Sequence, residues 1–150
     1  MRVTFPRLPD HERAWALVER DDGVVYRLYS GTAGPRLPHD IMHLVVEREL
    51  RISDGIWAGI AAGGPGGPPD PRAELLADLV SSAAALSTLT LDKIRRLTAD
   101  KLAALPSAER PGAEVDPVLV AVAARALQVE AARWARLRVG EELSYDWPGK

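Results

Sequence analysis

The chain has 150 residues, 47% of them hydrophobic, and its 19 basic and 21 acidic side chains leave a net charge of -2. That length fits one domain, residues 1–150, with a sizeable core, and so balanced a charge argues against a nucleic-acid module, which usually carries a basic face. There is no cysteine, which excludes disulfides, cysteine-type zinc sites, iron–sulfur clusters and a thiol nucleophile. Sixteen arginines stand against three lysines, a coding bias rather than a phosphate-reading surface. Met1 to Asp10 is too polar, and too broken by Pro6 and Pro9, for a signal peptide, and the apolar run Ile56 to Ala62 is far too short for a membrane span. The expectation is a cytoplasmic protein with neither a membrane nor a nucleic-acid partner.

In chain order, Arg2 to Phe5 reads as a short strand that Pro6 stops. Ala14 to Glu19 and Val24 to Tyr29 are β-rich runs flanking Arg20-Asp21-Asp22-Gly23. Asp-Gly between such runs signals a hairpin, because glycine supplies the positive φ of a tight turn. Ser30 to Arg36 reads as a loop. A helix is predicted from Pro38, since the N–H that proline lacks is unpaired in a first helical turn anyway. Ile41, Leu44, Val45 and Leu50 form its core side, and it fades over Arg51 to Asp54. Ile56 to Ala62, nearly all apolar, is expected to be buried.

Residues 63–69, Gly63-Gly64-Pro65-Gly66-Gly67-Pro68-Pro69, read as an internal surface connection. They lack GxGxxG spacing and a GK[ST] ending, and three prolines remove donors that a phosphate-binding loop needs. Asp70-Pro71 starts a helix, with Asp as N-cap and Pro at the first position; Leu76, Leu79, Val80, Ala83, Ala84 and Leu86 follow at helical spacing. After a break near Thr88 to Leu91, a further helix turns Ile94, Leu97, Leu102 and Leu105 inward and ends at Pro106, before a loop at Pro111-Gly112. Asp116-Pro117 repeats the cap and opens a long helix to about Arg136. Its predicted inward stripe is Leu119, Val122, Ala126 and Val129, with Arg125, Glu130 and Arg133 outside. Leu143, Tyr145 and Trp147 alternate with Ser144 and Asp146 as a last strand. Strands at both ends and helices between predict an α+β domain, a small antiparallel sheet of N-terminal hairpin plus C-terminal strand packed with about four or five helices.

Two of the three histidines, His39 and His43, stand four residues apart, and Asp40 follows the first. On a helix both imidazoles leave one face, about 5.4 Å apart along the axis, and can close on one metal ion. Asp40 lies about 100° round the helix, on the flank of that face; it can act as a base, ligate, or pair with a histidine. Glu47 continues the row about 12 Å along the axis from His39. Side chains lean toward the helix N-terminus, so Glu47 can reach His43 as an outer-shell partner that fixes its tautomer, or become a third ligand if the helix bends. Asp54 can swing back as a ligand after the helix, or serve as a turn residue before Gly55. His11, in a Pro-Asp-His-Glu-Arg loop, reads as a solvated turn residue. Ser81-Ser82 lacks the GxSxG elbow of a serine hydrolase.

The motif His39-Asp40-Ile41-Met42-His43 resembles the zincin metalloprotease signature HExxH, in which the acid after the first His is the general base. The resemblance puts Asp40, one methylene shorter, in that place. The motif is also similar to the HDxxH zinc motif of a ubiquinone-biosynthesis family, where a Glu follows after eleven further residues; here that place is Gly55, with Asp54 just before it. Leu37 to Trp57 also resembles uncharacterised small actinobacterial HDxxH-containing proteins, which implies no particular activity.

Two expectations follow. In the first, the chain is a zinc-dependent hydrolase or lyase acting on a small-molecule or peptide substrate. His39 and His43 hold zinc or another divalent metal, one of Asp40, Glu47 and Asp54 completes the shell, and Asp40 or Glu47 is the base for a metal-activated water. In the second, the chain is a non-enzymatic binding or interaction domain whose histidines are structural or hold a closed metal site. The oligomeric state is left open.

Overall fold

Alternating burial at the two ends of the chain builds one sheet. In the computed structural model, which describes residues 1–65, 71–104 and 115–148, β1 (Arg2–Pro6), β2 (Arg13–Glu19), β3 (Val25–Thr32) and β4 (Glu142–Asp146) form a four-stranded antiparallel sheet in the order β3-β2-β1-β4. Five helices lie between: α1 (His39–Leu50), α2 (Ile56–Ala61), α3 (Pro71–Ala84), α4 (Leu91–Ala104) and α5 (Pro117–Arg136). The α+β architecture is the one expected. The expectations for residues 66–69, Asp70, Leu105, Pro106 and Pro111-Gly112 lie outside the described residues.

The C-terminal strand joins the sheet through β1, with Val3 opposite Tyr145 and Phe5 opposite Leu143. All four are buried, so the pleat turns one face of both strands to the core. The β2–β3 turn uses Gly23 at φ +85°, a conformation that costs a residue with a Cβ. Strand β3 continues to Thr32, further than the loop assigned from Ser30, because a bulge between Arg13 and Trp15 lets Arg13 pair with Thr32.

Helix α5 corrects the sequence reading. Of the expected inward stripe, Leu119, Val122 and Val129 are 46%, 49% and 57% exposed and Ala126 is half-buried against the core, and the buried face is Val120, Ala123, Ala124, Leu127, Trp134 and, contrary to expectation, Glu130. Apolar residues occur nearly all round this helix, so hydrophobicity alone does not choose the face. The two alanines give a smooth side on which neighbouring elements can pack closely, and Glu130 is tolerated inside because its carboxylate is satisfied. The Tyr145 hydroxyl donates to Glu130 Oε2 at 2.7 Å, and Arg133 Nη1 donates to both carboxylate oxygens at 2.9 Å. Burial, then the Glu130 charge, pushes the Tyr145 pKa far above its ordinary value, so the hydroxyl remains a donor. Tyr145→Phe should therefore cost about 1–2 kcal/mol, by removing a donor from a buried charged acceptor. Urea denaturation checks this, and an unchanged midpoint would mean the bond adds nothing net.

Candidate metal centre

Pro38 enters α1 with extended ψ of 141°, and the helix begins at His39. Within α1, Ile41, Leu44, Val45 and Val46 fill the core, and the row His39, His43, Glu47 runs from the exposed end inward. His39 is exposed, whereas His43 and Glu47 are each 1% exposed. The two imidazole centroids are 4.5 Å apart with the rings tilted by 59°.

A third group comes from α3. Glu74, in its first turn, places Oε1 3.6 Å from His43 Nε2. One ligand atom from each of His39, His43 and Glu74 lies within 4.8 Å of the other two. Ligands bound at about 2.1 Å in a tetrahedral shell are about 3.4 Å apart. The His43–Glu74 separation already meets that, and His39 and Glu74, both exposed, can close the rest by side-chain rotation.

The chemistry of the donors fits a cation. Among the described residues neither ring nitrogen of buried His43 has a hydrogen-bond partner, although an unmet buried polar atom costs about 1–3 kcal/mol. Nε2 faces Glu74, and Nδ1 lies 4.0 Å from Glu47 Oε1. Burial holds the His43 pKa below its ordinary value; Glu74 and Asp40 pull it up and His39 pushes it down. The favoured form is thus the neutral imidazole, which is the form that ligates.

Glu47 is bound up with the fold. Its Oε1 accepts from the Ile56 amide at 2.9 Å, and its Oε2 from the Trp57 and Ala58 amides at 2.9 and 3.4 Å. It is the missing cap of α2, whose own N-cap is Gly55. A Cβ on Gly55 would stand 2.2 Å from Glu47 Cδ. A side chain at 55 and the Glu47 carboxylate therefore exclude each other, which gives a physical reason for glycine where the ubiquinone-biosynthesis pattern has Glu. From the other side, Trp57 Nε1 donates to the Asp40 carbonyl at 3.0 Å, so α2 is clamped to α1 at two points.

Burial pushes the Glu47 carboxyl up to about 7, against the lowering effect of the three amides. The sign follows directly. Between about 4.5 and 7 the folded state holds a proton that the unfolded state has released, so stability present at low pH is lost as pH rises through about 7. The full loss is on the order of 3 kcal/mol. His43 acts oppositely: its contribution is present above the ordinary 6.5 and is lost as pH falls through its lowered folded value. Metal-free protein should lose urea resistance between pH 5 and 8 more steeply than Glu47→Gln. Equal slopes for the two proteins would refute the assignment.

Of the acids named from sequence, Asp40, Glu47 and Asp54, none belongs to the three-donor group. Asp40 is half-buried beside it, and its carboxylate has no hydrogen-bond partner among the described residues. Asp54 is exposed in the turn before α2, close enough to Glu47 to raise its pKa. His11 is exposed in its loop at φ +73°. Glu74 was not anticipated, because the Gly/Pro-rich connection separates its spacing from that of α1. Its one sequence signal is its place in the first turn of α3, flanking the buried stripe Ala73, Leu76, Ala77 and Val80. No protein-family model matches the chain, and no curated protein or solved structure is significantly similar to it.

Proposed function

We propose that the chain is a zinc-dependent hydrolase or lyase whose metal is held by His39, His43 and Glu74. The observation that carries this reading is His43, a buried imidazole with both nitrogens unpartnered among the described residues, Nε2 turned toward Glu74 of α3 and the His39 ring one turn away on α1. Two imidazoles and one carboxylate leave one position of a tetrahedral shell for water, as catalytic rather than closed zinc sites do. A divalent ion bound there would make that water acidic enough to react near neutral pH and would polarise a carbonyl. His43 is held neutral by burial, and Glu47, anchored by three amides, lies 4.0 Å from its Nδ1, beyond hydrogen-bond length but near enough to become its orienting partner on a small turn of the ring. We assign the general base to Asp40 rather than Glu47, because the Asp40 carboxylate, close enough to His43 to act on its charge, has no hydrogen-bond partner among the described residues, whereas that of Glu47 is buried and already engaged. No helix among the described residues is long and apolar enough to cross a membrane.

The test is hydrolysis of a panel of p-nitrophenyl esters and amides by zinc-loaded protein, before and after chelation. Activity should vanish on chelation and return with zinc. Asp40→Asn should lower kcat by about a hundredfold at unchanged zinc content. Turnover that survives both chelation and His43→Ala would overturn the zinc dependence, and no turnover with zinc bound would overturn the hydrolase.

A further inference from the structure

Resting on that metal reading, the cavity beside His39 names a substrate class. A hollow of about 410 Å³ opens between the sheet end and α5, and Phe5, Trp15, Trp134, Leu37, Pro38 and His39 are among its walls. Its volume falls within the range of small-molecule sites, about 300–1,000 Å³. His39 joins it to the three-donor group, so a molecule whose reacting carbonyl sits at the donors can lay a substituent in the hollow. The wall is held in place, because Trp134 is 3% exposed and its indole N–H donates to the Gly34 carbonyl at 3.4 Å. Among the described residues no carboxylate lines the hollow, and its lining includes Arg36 beside the His39 imidazole. Such a site gains from burying a flat apolar ring, and the Trp134 and Trp15 rings already carry Arg7 and Arg27 over them at 5.9 and 4.4 Å, which disfavours a second cation. We propose that the substrate is a carbonyl compound bearing an uncharged aromatic group, seated between Phe5 and Trp134 with its carbonyl at His39, His43 and Glu74.

Two hydroxamates test this, since both present the same chelating head and differ in the ring. Benzohydroxamate and acetohydroxamate are titrated into zinc-loaded protein, with zinc content measured on the same samples. Benzohydroxamate should bind about ten- to a hundredfold more tightly, the gain from burying a phenyl group. The second arm is Gly34→Leu: Gly34 lines the hollow and has open space where a Cβ would stand. That variant should bring the ratio toward one, with acetohydroxamate affinity and zinc content unchanged. Zinc bound with a ratio near one in the parent, or a ratio untouched by Gly34→Leu, would overturn the aromatic assignment alone. Absence of zinc from the parent would overturn the metal reading and this inference with it.

Discussion

Glu47→Ala is expected to destabilise the protein by about 3–5 kcal/mol, the largest single effect among the candidate residues. The substitution leaves three amide donors of α2 without their acceptor and opens a void at a side chain that is 1% exposed. Helix α2 carries Trp57 and Ile60, both buried, and Trp57 packs edge-on against Phe5 at 5.9 Å, so loosening its cap disturbs the core. A urea-denaturation loss below about 1 kcal/mol would refute the clamp, since that is the ordinary cost of a point change. Gly55 supplies the cross-check. Gly55→Ala puts a methyl group 2.2 Å from Glu47 Cδ and should destabilise strongly in the parent but much less in Glu47→Ala. A double-mutant cycle that shows the two costs simply adding would contradict the shared space.

Glu74→Gln is expected to behave in the opposite way, sparing the fold and removing the metal. Its side chain is 48% exposed, so stability without metal should stay within about 0.5 kcal/mol of the parent. Zinc affinity should fall by at least about a hundredfold, because the neutral amide is a poor ligand and the anionic third donor is lost. Linkage makes the change visible in thermal melts. At free zinc a hundred times its Kd the parent should gain about 2.7 kcal/mol, and the variant far less at the same concentration. Equal zinc-dependent shifts for both proteins would remove Glu74 from the site.

The contrast between Glu47 and Glu74 shows what the chain made legible. Helix α1 and its histidine pair follow from local periodicity, and the Asp22-Gly23 turn and the alternating C-terminal strand follow from local turn and strand chemistry, so these elements appear where expected. The face of α5 is a tertiary choice. With apolar residues nearly all round the helix, the outcome depends on close packing at Ala123 and Ala124 and on a Tyr145 partner that lets Glu130 go inside. The candidate ligand set divides in the same way. His39 and His43 share a helix turn, but Glu74 comes from another helix beyond a Gly/Pro-rich connection, which no spacing rule crosses. The role of Glu47 had a faint local signal: α2 begins after Gly55, which has no side chain to cap it, so its first amides must find an acceptor elsewhere in the fold.

The claim that His39, His43 and Glu74 form one metal site is tested most directly by elemental analysis after reconstitution with zinc and exhaustive dialysis. The site predicts one zinc per chain in the parent and in Asp54→Ala, and essentially none in His43→Ala or Glu74→Gln. A parent that emerges without zinc, or a Glu74→Gln variant that keeps a full equivalent, would contradict it.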